Sequence, residues 1–307
     1  MQLWKIIHSS VCGKTHILEN IPNQDAIAVF PKVPDLINPP FICSIADGHG
    51  GKKYCFSDVG SSFAVKCANS VIFESVFNGE WNLDSINNQI IRESIGKKIV
   101  EEWKREVMNH YIHNAPYSLI VEKQPVKYSL PINEYSAYKM YGSTLISFFL
   151  YNDFLVILQL GDGDVLILFD DDKVVNPLIK SDELIANVTF SLSLPAAWKN
   201  FNIKVISLGN KNGEYYPPIS CILVSTDGYS NSFSEYNGFM KVILDIREEV
   251  LSHPNGVIAG IDDINEMLPE WLNETSSQGS GDDISLVIAC NVNCLESLKK
   301  IRNGSYE

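Results

Sequence analysis

Apolar residues recur along the chain in two rhythms. Short unbroken runs, bounded by Gly, Pro, Asn or Asp, cover residues 27–30, 41–46, 154–160, 165–169, 203–208, 219–225 and 284–290, and 142–151 reads the same way. Runs of that length between turn residues predict buried strands. Residues 1–47 as a whole read as strands, with Pro31, Pro34, Pro39 and Pro40 punctuating the loop before the second apolar run. Asn152-Asp153 and Gly161-Asp162-Gly163-Asp164 predict the turns of a meander. The second rhythm is helical. Phe63, Val65, Ala68, Val71, Ile72 and Phe73 predict a helix over 59–77. Ile86, Ile90, Ile91, Ile95, Ile99, Trp103 and Val107 predict another over 83–111, with Asp84 and Ser85 as candidate caps. Residues 236–251 and 264–272 read as two more helices. Residues 114–140 and 176–202 show no periodicity and read as loops. Strands in two groups, each followed by paired helices, predict a layered sandwich of sheet and helix.

Composition narrows the function classes. The chain has 307 residues, of which 45% are hydrophobic and 20% charged, enough for a sizeable core. The net charge of −13 repels the phosphates of nucleic acids and of anionic membranes, and no Lys/Arg run offsets it. The first apolar stretch is too short and polar for a signal peptide, and residues 146–160 are too short to span a bilayer, so a soluble, cytoplasmic protein is expected. Seven cysteines, an odd count without a Cys-x-x-Cys, read as reduced thiols.

Four acidic motifs sit at predicted strand ends: Asn23-Gln24-Asp25-Ala26, Ala46-Asp47-Gly48-His49-Gly50-Gly51, Ser225-Thr226-Asp227-Gly228 and Gly279-Ser280-Gly281-Asp282-Asp283. Neighbouring strands lie about 4.8 Å apart, so carboxylates at their ends can converge on two cations roughly 3.5–4 Å apart. Oxygen ligands without Cys or paired His favour magnesium or manganese. Such a pair can activate a bridging water and neutralise a phosphoryl group. A lone Asp-Gly is a turn; the specificity lies in the set and its order.

With NQDA, ADGHGG, YGSTLIS, LGDGDV, LVSTDG and GSGDDISLVIA, residues 13–289 resemble the metal-dependent protein phosphatase family, the protein phosphatase 2C-like family. The resemblance implies one catalytic domain over residues 1–307, of α+β class: a central sandwich of two antiparallel β-sheets flanked on both outer faces by pairs of α-helices. It implies a phosphoserine/phosphothreonine phosphatase using two Mn2+ or Mg2+ ions. Asp47 would bridge both ions, with the Gly48 carbonyl on one. Asp227 and Asp282 would serve the other, and Asp25 would act through a water shell. His49 would be the general acid, a task suited to a group titrating near neutrality. Asp162 matches one acid of a third, weaker metal site. A phosphorylated protein is the implied partner, with a cognate serine/threonine kinase system, no nucleic acid and no membrane, and a monomer is expected.

The chain departs from the family pattern at three places. Gln24 stands where many members carry a glutamate ligand, and Asn231 where a third-site carboxylate is common. No arginine precedes Asp25 to hold the substrate phosphate, which leaves Lys14 or His16 for that part. These departures motivate an alternative reading, a pseudophosphatase that binds phosphoproteins without turnover. A small phosphomonoester is the alternative substrate.

Overall fold

The computed structural model describes residues 2–32, 35–78, 87–113, 134–178, 190–211 and 214–304. Two five-stranded antiparallel sheets form its centre. In the first, β1 (Trp4–Val11), β12 (Ile284–Asn291), β11 (Ile219–Ser225), β6 (Asp164–Phe169) and β7 (Val174–Val175) are neighbours in that order. In the second the order is β2 (Ala26–Phe30), β3 (Phe41–Ala46), β4 (Leu145–Tyr151), β5 (Phe154–Leu160) and β8 (Asn202–Ser207). A short ribbon pairs β9 (Gly209–Lys211) with β10 (Glu214–Tyr216).

The sheets pack face to face. Trp4, Phe41, Phe148, Ile157, Ile222 and Val287 belong to the apolar layer between them. On the outer face of the second sheet lie α2 (Ser57–Ile72) and α4 (Lys97–His113), sharing a core with Ile42, Phe149 and Val156. On the outer face of the first sheet lie the long helices Tyr236–Ser252 and Val257–Gln278, packed on Leu166, Leu223 and Leu286. Every central strand is therefore covered on both sides, which is why β5, β6, β11 and β12 are apolar without alternation. The antiparallel α+β sandwich implied by the sequence is the fold observed.

Local chemistry explains most element ends. Asn152 takes a left-handed backbone, φ 52°, in the two-residue turn joining β4 to β5. The helix predicted over 59–77 begins at Ser57, and its last turn, Phe73–Phe77, widens to π geometry. Of the helix predicted over 83–111, the proposed caps Asp84 and Ser85 lie outside the described residues. The segment Asn87 caps, α3 (Asn88–Ile91), continues through a π turn, Arg92–Gly96, into α4.

Several elements differ from the sequence expectation, four helices among them. Within the predicted loop 114–140, Glu134–Met140 is a helix, α5, held by burial of Ala137 and Met140. The helix expected over 264–272 extends over Val257–Gln278 straight through Pro269, because Ile261, Ile264, Leu268 and Leu272 form one buried stripe. Lys14–Glu19 (α1) and Val292–Arg302, the chain's last described helix, were not expected. In chain order the remaining helices are α6 (Asp227–Ser230), α7 (Tyr236–Ser252), α8 (Val257–Gln278) and α9 (Val292–Arg302).

The second sheet's helical layer depends on one close approach. Trp103 Nε1 on α4 donates to the Gly60 carbonyl on α2 at 2.9 Å, and a Cβ on Gly60 would collide with the Tyr141 carbonyl. Replacing a helical glycine by alanine ordinarily stabilises by about 1 kcal/mol. Here Gly60→Ala is expected to destabilise by about 1–3 kcal/mol, read as a lower denaturation midpoint at unchanged m-value.

Candidate active site

The antiparallel register brings one end of both sheets together. Ala26 pairs with Ala46, Asp164 with Ser225, and Val11 with Ile284. The residues just beyond these pairs are Asp25, Asp47, Asp227 and Asp282, and the β5–β6 crossover between the sheets adds Asp162. Carboxylate oxygens of Asp47, Asp162 and Asp227 all lie within 4.8 Å of one another. They line a cleft of about 400 Å³ together with Thr15, His16, Gln24, Gly48, His49, Gly50, Ser280, Gly281 and Asp282. A larger groove, about 790 Å³, runs between α2 and α4 and contains none of the motif residues. Its Lys97, Glu101, Glu102, Arg105 and Glu106 neighbourhood is a solvated network of ion pairs.

Backbone bonds fix the floor of the cleft. Asp47 N donates to Thr144 Oγ1 at 2.9 Å, and Thr144 N donates back to the Asp47 carbonyl at 2.8 Å. Gly48 N donates to the Gln24 carbonyl at 3.1 Å, and His49 N to the Gly142 carbonyl at 3.0 Å. Gly48 is required, since a side chain there would press on the Gln24 and Ser57 carbonyls. Asp25 accepts from Thr226 Oγ1 at 2.8 Å, which links the first motif to the third. Asn231 Nδ2 donates to Asp227 Oδ2 at 3.1 Å. The Tyr54 ring rests against the His49 ring, centroids 5.1 Å apart.

Sequence reasoning missed Asp283. It is buried and accepts from Gly13 N at 2.6 Å and from Gln24 N at 2.7 Å. His16 Nδ1 lies 2.9 Å from Asp283 Oδ2, at the distance but not the direction of a hydrogen bond. His16, Asp282 and Asp283 thus form a second tight group beside the first. The sequence signal for Asp283 was its doubled acid before an apolar strand, where one of two adjacent carboxylates must point inward. Of the two candidates for phosphate contact, His16 lines the cleft, whereas Lys14 is exposed on α1 and does not. Outside the cleft, His110 bonds through Nδ1 to the Tyr141 hydroxyl at 2.8 Å.

The electrostatics are those of crowded acids. Burial, and then the neighbouring charges of Asp25, Asp227, Asp282 and Asp162, hold the Asp47 carboxyl far above the usual range. Burial raises Asp25 likewise, opposed by the Thr226 hydrogen bond. Burial followed by Asp162 and Asp282 pushes Asp227 up to about 6. Burial lowers His49, and the Asp162 carboxylate opposes that shift. A divalent cation fits this donor set. The ligand atoms are hard oxygens, their mutual repulsion is what a cation would remove, and Gln24 Oε1 is buried among the described residues without a hydrogen-bond partner.

The protein phosphatase 2C family model matches residues 12–273. No curated protein matches the chain. Among solved structures, the catalytic domain of the serine/threonine protein phosphatase PstP, in complex with two manganese ions, aligns at 13% identity and a TM-score of 0.52, covering 94% of this chain and 99% of that one. An S. agalactiae serine/threonine phosphatase aligns at 15% identity and 0.51, covering 94% and 99%. A C. elegans sex-determining protein aligns at 14% identity and 0.56, covering 96% of this chain and 67% of that one. At these identities the likeness is one of fold.

The raised carboxyls make metal-free stability depend on pH. Between the ordinary 3.8 and about 6, folded Asp227 keeps a proton that the unfolded chain releases. The stability this contributes is complete below the unfolded value and is lost as pH rises through about 6. Asp25 and Asp47 shift in the same direction. In chelator, the protein is expected to lose on the order of 3 kcal/mol through Asp227 between pH 4 and pH 7. Calorimetric melting across that range should show the loss, Asp227→Asn should reduce it, and manganese at pH 7 should reverse it.

Proposed function

The chain belongs to the protein phosphatase 2C family of phosphoprotein phosphatases, and we propose that it hydrolyses phosphoserine and phosphothreonine monoesters at the carboxylate-lined cleft. The observation that carries this reading is the convergence of Asp47, Asp162 and Asp227 in one cleft with His49 and Asp282.

Asp47 would be shared between two Mn2+ or Mg2+ ions, with the Gly48 carbonyl beside it. Asp227 and Asp282 would complete one site, and Asp25 would order the water of the other. Asp162 is the candidate for a third ion. When bound, these ions supply positive charge to the phosphoryl oxygens and activate water for in-line attack. Gln24 supports the second site as a neutral ligand, since its buried Oε1 is free to accept.

The chain's own groups do the rest. As the ester P–O bond breaks, His49 gives its ring proton to the departing seryl or threonyl oxygen. The Asp162 carboxylate favours the protonated ring, and Tyr54 restricts where the ring can lie. His16, braced by buried Asp283, is the better candidate for gripping the substrate phosphate, because it lines the cleft and Lys14 does not. A phosphoprotein substrate implies a kinase of matching specificity as its source.

Phosphate release from a phosphothreonine peptide is expected with manganese, and is expected to vanish with chelator or in Asp47→Asn. Native chain that binds manganese yet releases nothing would overturn the reading. His49→Ala should lower turnover of phosphoserine peptides by about 10²–10⁴-fold. It should lower turnover of p-nitrophenyl phosphate far less, because p-nitrophenolate leaves without a proton. His16→Ala should raise KM with little change in kcat, the pattern of a lost ground-state contact, and steady-state kinetics on one peptide separates the two parameters.

A further inference from the structure

The turn α1 has an unusual construction. It buries none of its residues. It is held instead by backbone bonds to the entry of β12: Gly13 N to Asp283 Oδ1 at 2.6 Å, Lys14 N to Ser276 Oγ at 3.2 Å and Thr15 N to the Gly281 carbonyl at 2.9 Å. Its aliphatic side chains therefore contribute nothing to the core. Ile17 is 53% exposed, and Leu18, at 71%, is the most exposed large apolar residue among the described ones. Scattered exposed apolar residues are ordinary on a protein surface. Two in succession, on a turn pinned in place, form an apolar step that a ligand can cover.

Position says what the contact is. Thr15 and His16 line the cleft. Leu18 follows Thr15 by three residues and so shares its face of α1, which brings the apolar step beside the rim. A cleft of about 400 Å³ takes a phosphorylated side chain but not the polypeptide that carries it. The residues flanking the phosphoresidue must leave over the rim, and α1 is part of that rim. We propose that α1 is the docking step for the substrate's flanking polypeptide, and that Ile17 and Leu18 select an aliphatic side chain next to the phosphoresidue. The inference rests on the phosphatase reading and adds a substrate class to it.

The test uses two phosphothreonine peptides that differ only in carrying leucine or serine beside the phosphothreonine, with p-nitrophenyl phosphate as a substrate too small to reach α1. The native chain is expected to favour the leucine peptide by about tenfold in kcat/KM, mostly through KM. The double variant Ile17→Ser/Leu18→Ser should lose that preference while hydrolysing p-nitrophenyl phosphate at the native rate. The conservative pair Ile17→Leu/Leu18→Ile should keep it. A native chain that treats both peptides alike, or a double variant that keeps the preference, overturns the proposal and leaves the phosphatase reading standing. If no substrate is hydrolysed, the phosphatase reading fails separately. Fluorescence anisotropy of the same labelled peptides then decides docking: a leucine preference lost in the double variant supports it, and equal affinities overturn it.

Discussion

Asp283 sits at the start of β12 with almost no contact with water, and a buried carboxylate is costly unless its oxygens are bonded. Both are. One accepts from Gly13, just after β1, and the other from Gln24, just before β2. β1 belongs to the first sheet and β2 to the second. A single side chain thereby ties the ends of the two sheets and sets where the first acidic motif begins. Its neighbour His16 and the start of α1 take their places from the same anchor. The approach is so close that a side chain on Gly228 would collide with the Asp283 carbonyl. The motif glycine after Asp227 is therefore a packing requirement as much as a turn residue.

Around that anchor the fold does work against its own electrostatics. Asp25, Asp47 and Asp227 have raised carboxyls, each chiefly through burial and then through the other acids. A group held that way destabilises the folded chain at neutral pH in the absence of a cation. The sandwich tolerates it because three apolar layers, between the sheets and under each pair of helices, hold the fold together. Strained or mutually repelling groups persist where the surrounding structure over-determines them. The hydrogen bonds from Asp47 N to Thr144, from Thr226 to Asp25 and from Asn231 to Asp227 fix backbone and carboxylate positions without neutralising charge. The cluster is pre-arranged for a cation rather than collapsed.

Much of this was legible in the sequence, and the gaps have physical reasons. The central strands were legible because burial on both faces demands unbroken apolar runs. The long helices were legible because a covered stripe repeats every three or four residues. Helices α1 and α5 are too short for any period to show. Pro269 hid the true length of α8, since a proline in a helical pattern ordinarily ends it. The acids Asp25, Asp47, Asp227 and Asp282 could be found one motif at a time. The place of Asp162 beside Asp47 and Asp227 was implied by the resemblance alone, because it depends on the β5–β6 crossover from one sheet to the other. The inward turn of Asp283 could not be found, since it has meaning only once Gly13 and Gln24 are known to face it.

The site therefore divides into a floor and a rim with different constraints. Floor residues stand at strand ends, and moving one would shift a strand register that carries a core layer. Rim segments carry no such load. Lys14–Glu19 has no buried residue, and a side chain added at Gly50 would meet open space. Change at the floor alters chemistry and stability together, whereas change at the rim is decoupled from both. Loops on a rigid scaffold usually set which ligand is accepted, and here the decoupling explains how. The acids that would hold the ions are fixed by the fold, while the residues proposed to meet a substrate's polypeptide are free to follow it.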